Sequence, residues 1–200
     1  MRPTIEYFLV PNSPWTYLGH ERLRAIAARA GAVIEPLPFD LGGQVFPISG
    51  GLPLAKRAPQ RQAYRLVELQ RFSGHLKVAM NLQPRFFPVN ADLASRAIVA
   101  VHLADGPERA LDFAGAAMRA VWAEERNLAD PDVLAAALAE QGLPAQRLAD
   151  ASMPVVEQRF QANTARAIER QVFGAPSYVI GGELFWGQDR LDFVERKLAP

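Results

Sequence analysis

The sequence predicts an α/β fold in which a block of helices interrupts a small sheet. Three observations predict it. A β-α-β pattern opens the chain, an α-β-β-α pattern closes it, and the long stretch between them carries helical periodicity. The 200 residues, half of them apolar, suffice for one ample core or for one domain with a large insertion.

The elements follow in order. Ile5-Glu6-Tyr7-Phe8-Leu9-Val10 reads as a buried strand. Pro11-Asn12-Ser13-Pro14 is a turn, with Ser13 suited to an N-cap and Pro14 to the first helical position. Trp15, Leu18, Arg22, Ile26 and Ala30 then recur at helical spacing, and Gly31 closes the helix. Val33 to Phe39 is a second strand whose Pro36 and Pro38 place it at a sheet end or edge. A β-α-β unit implies a parallel pair with a right-handed crossover.

Residues from about 40 to 62 are rich in Gly and Pro and read as loop. Helices are expected from Ala63 to Phe72, from the Asn90 cap to Leu103, from Pro107 through Trp122, after the Asp130-Pro131 cap, and over Pro144 to Ala151. Ser152 is expected to open a long helix towards Gln171. Ser177 to Ile180 and Glu183 to Phe185 flank Gly181-Gly182, a two-residue hairpin signal. Leu191, Val194 and Leu198 mark a final helix. This order matches a thioredoxin-like fold with an inserted all-helical domain. Residues 1–40 and 165–200 would form the thioredoxin-like domain, and residues 41–164 the insertion.

Composition excludes several function classes. Twenty-two basic residues against 21 acidic ones leave a net charge of +1, which gives no footprint for nucleic acid or an anionic membrane. No apolar run approaches the ~20 residues that span a bilayer. The first residues lead straight into a strand pattern without the features of a signal peptide, so the expectation is a soluble, cytoplasmic protein. There is no cysteine, which removes disulfides, thiolate metal sites and Cys-x-x-Cys redox chemistry. His20, His75 and His102 are scattered and make no metal spacing, so no metal is expected. Asp130 and Asp132 read as caps. No Gly-rich phosphate loop or Gly-x-Ser-x-Gly elbow is present.

Three constellations carry chemistry. Asn12-Ser13-Pro14-Trp15-Thr16 sits where a strand turns into the first helix, and free N–H groups with the helix dipole favour an anion there. In thioredoxin-fold oxidoreductases this turn carries Cys-Pro-x-Cys, and the first Cys is acidified for that reason. Here it reads Ser-Pro-Trp-Thr, so a hydroxyl that can donate to an external thiolate replaces the sulfur. Taken alone, Ser13 reads as a helix cap worth about 1 kcal/mol, since capping Ser-Pro pairs are common. Phe173-Gly174-Ala175-Pro176-Ser177 precedes the hairpin. A cis proline there presents the backbone of the preceding residue to an extended ligand. In Phe185-Trp186-Gly187-Gln188-Asp189-Arg190-Leu191, Asp189 can accept from an ammonium while free N–H groups bind a carboxylate; equally, it is a first-turn acid. Lys56, Arg57 and Arg61 form a basic stretch, either a partner for ligand carboxylates or a solvated face.

Ser13-Pro14-Trp15-Thr16-Tyr17-Leu18-Gly19, Gly174-Ala175-Pro176-Ser177 and Phe185 to Leu191 together resemble the family of 2-hydroxychromene-2-carboxylate isomerases and kappa-class glutathione transferases. The resemblance spans essentially the whole chain. It implies a glutathione-dependent cis-trans isomerase acting by reversible addition of the glutathione thiolate to an aromatic pyruvate, or alternatively a transferase forming stable conjugates. It implies that Ser13 activates glutathione, that Ala175 beside Pro176 holds its cysteinyl backbone, and that Trp186, Gly187, Gln188 and Asp189 hold its γ-glutamyl end. Family members usually offer an Asn-Arg-like pair and a tyrosine to a small aromatic carboxylate substrate; the nearest matches here are Lys56 and Arg57 and, in place of the tyrosine, Phe86, and the inserted helices would cover the substrate. A homodimer is the expected assembly. The chain departs from the pattern at Val10, where family members often carry an acid three residues before the serine.

Overall fold

The protein is described here from a computed structural model covering residues 2–199. A four-stranded sheet has the order β2-β1-β3-β4. The strands are β1 (Thr4–Leu9), β2 (Val33–Pro38), β3 (Ser177–Ile180) and β4 (Glu183–Trp186). β1 runs parallel to β2 and antiparallel to β3, and β3 runs antiparallel to β4. The proline-bearing β2 is an edge strand, where a missing N–H costs no ladder bond. Gly181 and Gly182 turn the β3–β4 hairpin with φ of 58° and 87°, values that a side chain would strain.

Alternation along β1 divides the core. Ile5, Tyr7 and Leu9 point to one face. There they meet α1 (Pro14–Ala30), α4 (Asp92–Asp105), α5 (Pro107–Trp122) and α9 (Leu191–Leu198). Phe8 points to the other face with Leu37, Phe39, Val179 and Ala167 of α8 (Pro154–Glu169). Glu6, also on that face, accepts hydrogen bonds from Arg166 at 2.7 Å and Arg170 at 3.0 Å, so α8 lies on the sheet by charge as well as by apolar contact. The larger core continues unbroken from the sheet into the helices through Ile98 and through Ala94, Ala97, Ala114 and Ala117, whose small side chains let α4 and α5 pack closely. α6 (Pro131–Glu140) and α7 (Gln146–Asp150) close that side.

Several elements differ from expectation. The buried face of α1 includes Thr16, Gly19, His20, Leu23 and Ala27, while Trp15 turns aside to meet Phe72 edge-on at 6.1 Å. The span expected to be loop holds a π-helical turn (Leu41–Val45), a short α2 (Phe46–Ser49) and a 3₁₀ turn (Leu54–Lys56). α3 covers Pro59–Leu76, longer at both ends than the apolar pattern indicates, because its first turn is polar and starts on a proline. Ser152 caps nothing: Met153 takes the cap position of α8 with Pro154 after it, and the helix ends at Glu169. Asn90 acts just outside α4, its Oδ1 accepting from Asp92 N at 2.7 Å. Among the described residues, no helix is long and apolar enough to cross a membrane.

Candidate active site

β1 ends at Leu9, and the next residues bring Ser13 to the start of α1. Ser13 has φ −82° and ψ 124°, the extended geometry of an N-cap, and its Oγ accepts from Thr16 N at 3.3 Å. The same hydroxyl donates to the Ala175 carbonyl at 3.5 Å, the outer limit of a hydrogen bond. That contact crosses from the first helix to the turn before β3. It joins two of the constellations that lie 162 residues apart in sequence. The first turn of α1 contains no acidic residue, so nothing there opposes an anion beside Ser13.

The Ala175–Pro176 bond is cis, as expected. Ser177 Oγ donates to Gly174 O at 2.8 Å, and Gly187 N donates to Pro176 O at 2.9 Å, so both sides of the turn are pinned. The Ala175 N–H finds no acceptor among the described residues. Trp186 packs on Phe173 with ring centroids 4.8 Å apart. A Cβ on Gly174 would overlap the Trp186 indole Nε1, so glycine there permits the indole's close approach to the turn. On the opposite side, Asn12 Nδ2 donates to Val89 O at 2.8 Å and ties the turn to the segment before α4.

These elements enclose a cleft of about 1230 Å³. Ser13, Ala175, Trp186 and Arg57 all line it. Other residues singled out from the sequence lie outside its lining. Gln188 is buried beneath α1, where its Oε1 accepts from Arg22 at 3.1 Å and its Cβ abuts Gly19. Asp189 pairs with Arg190 at 2.8 Å at the surface. Gly187, with φ 101°, lies between Trp186 and a 3₁₀ turn (Gln188–Arg190), and Pro176 is outside the lining next to Ala175. Lys56 is exposed on the 3₁₀ turn before α3. Phe86 stands under Arg85, 5.2 Å from its guanidinium; its neighbour Phe87 occupies the cleft wall instead.

The cleft also gathers residues that sequence reasoning passed over. Tyr64 and Phe87 supply aromatic wall beside Trp15 of the first constellation, and Arg65 and Arg96 join Arg57 and Arg61 as cations. The signal for Arg65 is its spacing: Arg57, Arg61 and Arg65 recur every four residues, one face of a helix. Burial pushes the Arg57 guanidinium below its ordinary value, and Arg61 adds to the effect. Arg65 is pushed down to about 10 by burial and by Arg57. Arg96 is neutralised by Glu157 at 2.6 Å.

Behind α1, His20 is fully enclosed and its pKa falls to about 4, chiefly through desolvation. Its Nε2 donates to Leu111 O at 3.0 Å, so Nδ1 accepts from the Tyr7 hydroxyl at 3.3 Å and the ring is neutral. This histidine belongs to the core rather than to the cleft.

The family model described as a DSBA-like thioredoxin domain matches residues 4–199. The chain is 28% identical over 199 residues to the 2-hydroxychromene-2-carboxylate isomerase of Sphingobium xenophagum, covering 99% of each chain. It is 27% identical to the enzyme of the same name from Pseudomonas putida, covering 98% of this chain and 94% of that one. A solved 2-hydroxychromene-2-carboxylate isomerase superposes with a TM-score of 0.85 at 23% identity, over 98% of this chain and 94% of that chain. The cytosolic disulfide reductase DsbM from Pseudomonas aeruginosa superposes with a TM-score of 0.71 at 19% identity, over 98% of both.

Proposed function

The chain belongs to the DSBA-like thioredoxin domain family, and on that premise we propose that it is a glutathione-dependent isomerase of the 2-hydroxychromene-2-carboxylate type. The observation that carries the reading is the Ser13 hydroxyl, which caps α1 within the cleft opposite Ala175 in a chain that has no cysteine. A thiol-disulfide enzyme needs its own thiolate. Without one, the sulfur used at this helix start comes with a ligand. The names of the curated relatives support isomerisation.

The residues fit a γ-glutamyl tripeptide. The Ala175 N–H is a free backbone donor beside Ser13, suited to the carbonyl of an extended peptide. Trp186 forms an adjoining wall, and Asp189 offers a carboxylate beyond it to an ammonium. Glutathione, when bound, supplies a thiolate that adds reversibly to a conjugated double bond of an aromatic pyruvate, which leaves that bond free to rotate. Ser13 turns its proton from Ala175 O towards the sulfur, and the start of α1 adds its partial positive charge. Arg57 adds positive charge to the cleft on the side of α3. Trp15 and Phe72 bridge α1 to α3 by an edge-on ring contact.

The test mixes protein, glutathione and an aromatic unsaturated 2-oxo acid. Catalytic isomerisation with glutathione recovered intact is the expected result. A stoichiometric glutathione conjugate would assign a transferase instead. Failure of glutathione to bind by calorimetry would overturn both.

A further inference from the structure

Arg65 lies on α3 and lines the cleft, with its guanidinium 5.0 Å from the centre of the Phe87 ring and 5.8 Å from that of Trp122. Its Nη2 is buried without a hydrogen-bond partner, and Arg65 forms no ion pair among the described residues. Arg57 and Arg61, which share the cleft, form no ion pair among the described residues either, although Arg57 Nε donates to Leu52 O at 2.8 Å; several other arginines of the helical block are matched. Arg96 meets Glu157 at 2.6 Å, Arg147 meets Asp105 at 2.6 Å, and Arg126 meets Glu140 at 2.9 Å. The two carboxylates that line the cleft are engaged elsewhere. Asp40 accepts from Gly43 N at 2.7 Å, and Asp92 accepts from Asn90 at 3.2 Å. A half-buried cation without a counter-charge is costly. This one is made costlier by Arg57, and its depressed pKa records both effects.

We propose that Arg65 is the anchor for the carboxylate of a planar aromatic substrate, held as a rigid fork against Phe87 and Trp122. The inference rests on the reading of the cleft as a site for an aromatic acid, and its test is built to fail separately. The Phe87 and Trp122 rings, tilted 48° to each other, pack around the guanidinium and restrict its reorientation, and its fork of N–H donors suits a planar two-oxygen anion better than a point charge. Trp15, Tyr64 and Phe87 offer aromatic surface to the ring that carries the anion. The binding partner is therefore a molecule with both features; neutral analogues of the same shape leave the cation unmatched and bind worse. Arg65 is in this sense the residue that selects acids over esters.

The experiment titrates naphthalene-2-carboxylate and its methyl ester into glutathione-free protein, read by calorimetry. The wild type should prefer the acid by on the order of tenfold to a hundredfold, the range of one charge-assisted hydrogen-bonded contact. Arg65→Met should abolish that preference, and Arg65→Lys should restore part of it, because charge returns without the fork. Arg65→Met should melt no lower than the wild type, since the substitution removes an unmatched buried cation. Equal affinity of the wild type for acid and ester, or an undiminished preference in Arg65→Met, would overturn the proposal. A preference that depends on Arg65 in a protein without isomerase activity would support the anchor and count against the proposed function alone.

Discussion

Ser13→Ala removes one oxygen, and its consequences separate cleanly. Oγ accepts one hydrogen bond from Thr16 N at 3.3 Å and donates one to Ala175 O at 3.5 Å. The accepting bond is a helix cap, so its loss costs about 1 kcal/mol of stability, or roughly 2–4 °C in Tm at this chain length. The donating bond is so long that turning the proton towards a sulfur anion sacrifices little. A hydrogen bond to a charged acceptor contributes about 1.5–3 kcal/mol, which corresponds to a rise of roughly 1–2 units in the pKa of the bound thiol once Ser13 is gone. Thiolate would fall about tenfold to a hundredfold below the pKa, but a more basic thiolate is also more nucleophilic, with a slope of about 0.4–0.5. The net loss of turnover at neutral pH is then roughly fourfold to fifteenfold, and it should shrink as the pH rises above the thiol pKa. Glutathione binding should remain largely intact, since the other contacts proposed for it lie at Ala175 and Asp189. The assay is a titration of thiolate absorbance in the wild-type and Ser13→Ala complexes beside a pH–rate profile for each. Equal thiol pKa values in the two complexes would refute the role given to Ser13 and leave it as a cap.

Asp189→Ala should weaken glutathione binding by about 1–3 kcal/mol, measured by calorimetry, since the ammonium loses a carboxylate partner; unchanged affinity would leave Asp189 as the partner of Arg190 alone. His20, neutral in the folded protein with a pKa near 4 against 6.5 when exposed, binds a proton in the unfolded chain first. Stability therefore falls as pH drops from about 6.5 to about 4, by roughly 3 kcal/mol, and denaturant melts of His20→Gln should show a flatter decline across that window. The protein without glutathione should reduce insulin no faster than a blank, because it has no cysteine. Ser13→Cys should not restore full turnover relative to wild type, because a second sulfur competes for the anion position at the start of α1; wild-type rates in that variant would contradict the borrowed-thiol reading.

Local signals were legible where local physics decides the outcome. The hairpin was readable because two adjacent glycines between apolar runs admit few backbone paths, and the edge position of β2 because proline cannot donate to a ladder. The beginning of α3 was not, because Pro59 to Gln62 carry no apolar stripe; that turn forms as the continuation of a helix whose later residues pack. The same blindness hid Arg65, whose place in the cleft depends on the register of a helix with an obscure start. Ser13, Ala175, Trp186 and Arg57 could be grouped from motifs, and the fold brings them to one cleft. Gln188 could not be placed, because its burial follows from a close approach of Gly19 and a bond to Arg22. Phe86 and Phe87 differ by a single position, and only the path of the chain before α4 decides which ring faces inward.

Replacing a nucleophilic sulfur by a hydroxyl alters less of this site than the change in chemistry suggests. The start of α1, the cis turn at Ala175–Pro176 and the open cleft are all present in this cysteine-free chain. A helix start favours negative charge whichever molecule carries it. With a protein sulfur at this position the scaffold would acidify its own thiol. With Ser13 there, the space beside the hydroxyl is left for a sulfur from outside, and the Ala175 backbone that could hold a peptide thiol's own peptide group lies within reach of the same hydroxyl. Redox exchange needs a second sulfur to resolve the first, and this chain lacks that as well. What the scaffold retains is a helix start that favours an anion beside a cleft whose wall is cationic on the side of α3. Reversible addition to an anionic, conjugated substrate uses each of those features and needs no net electron transfer.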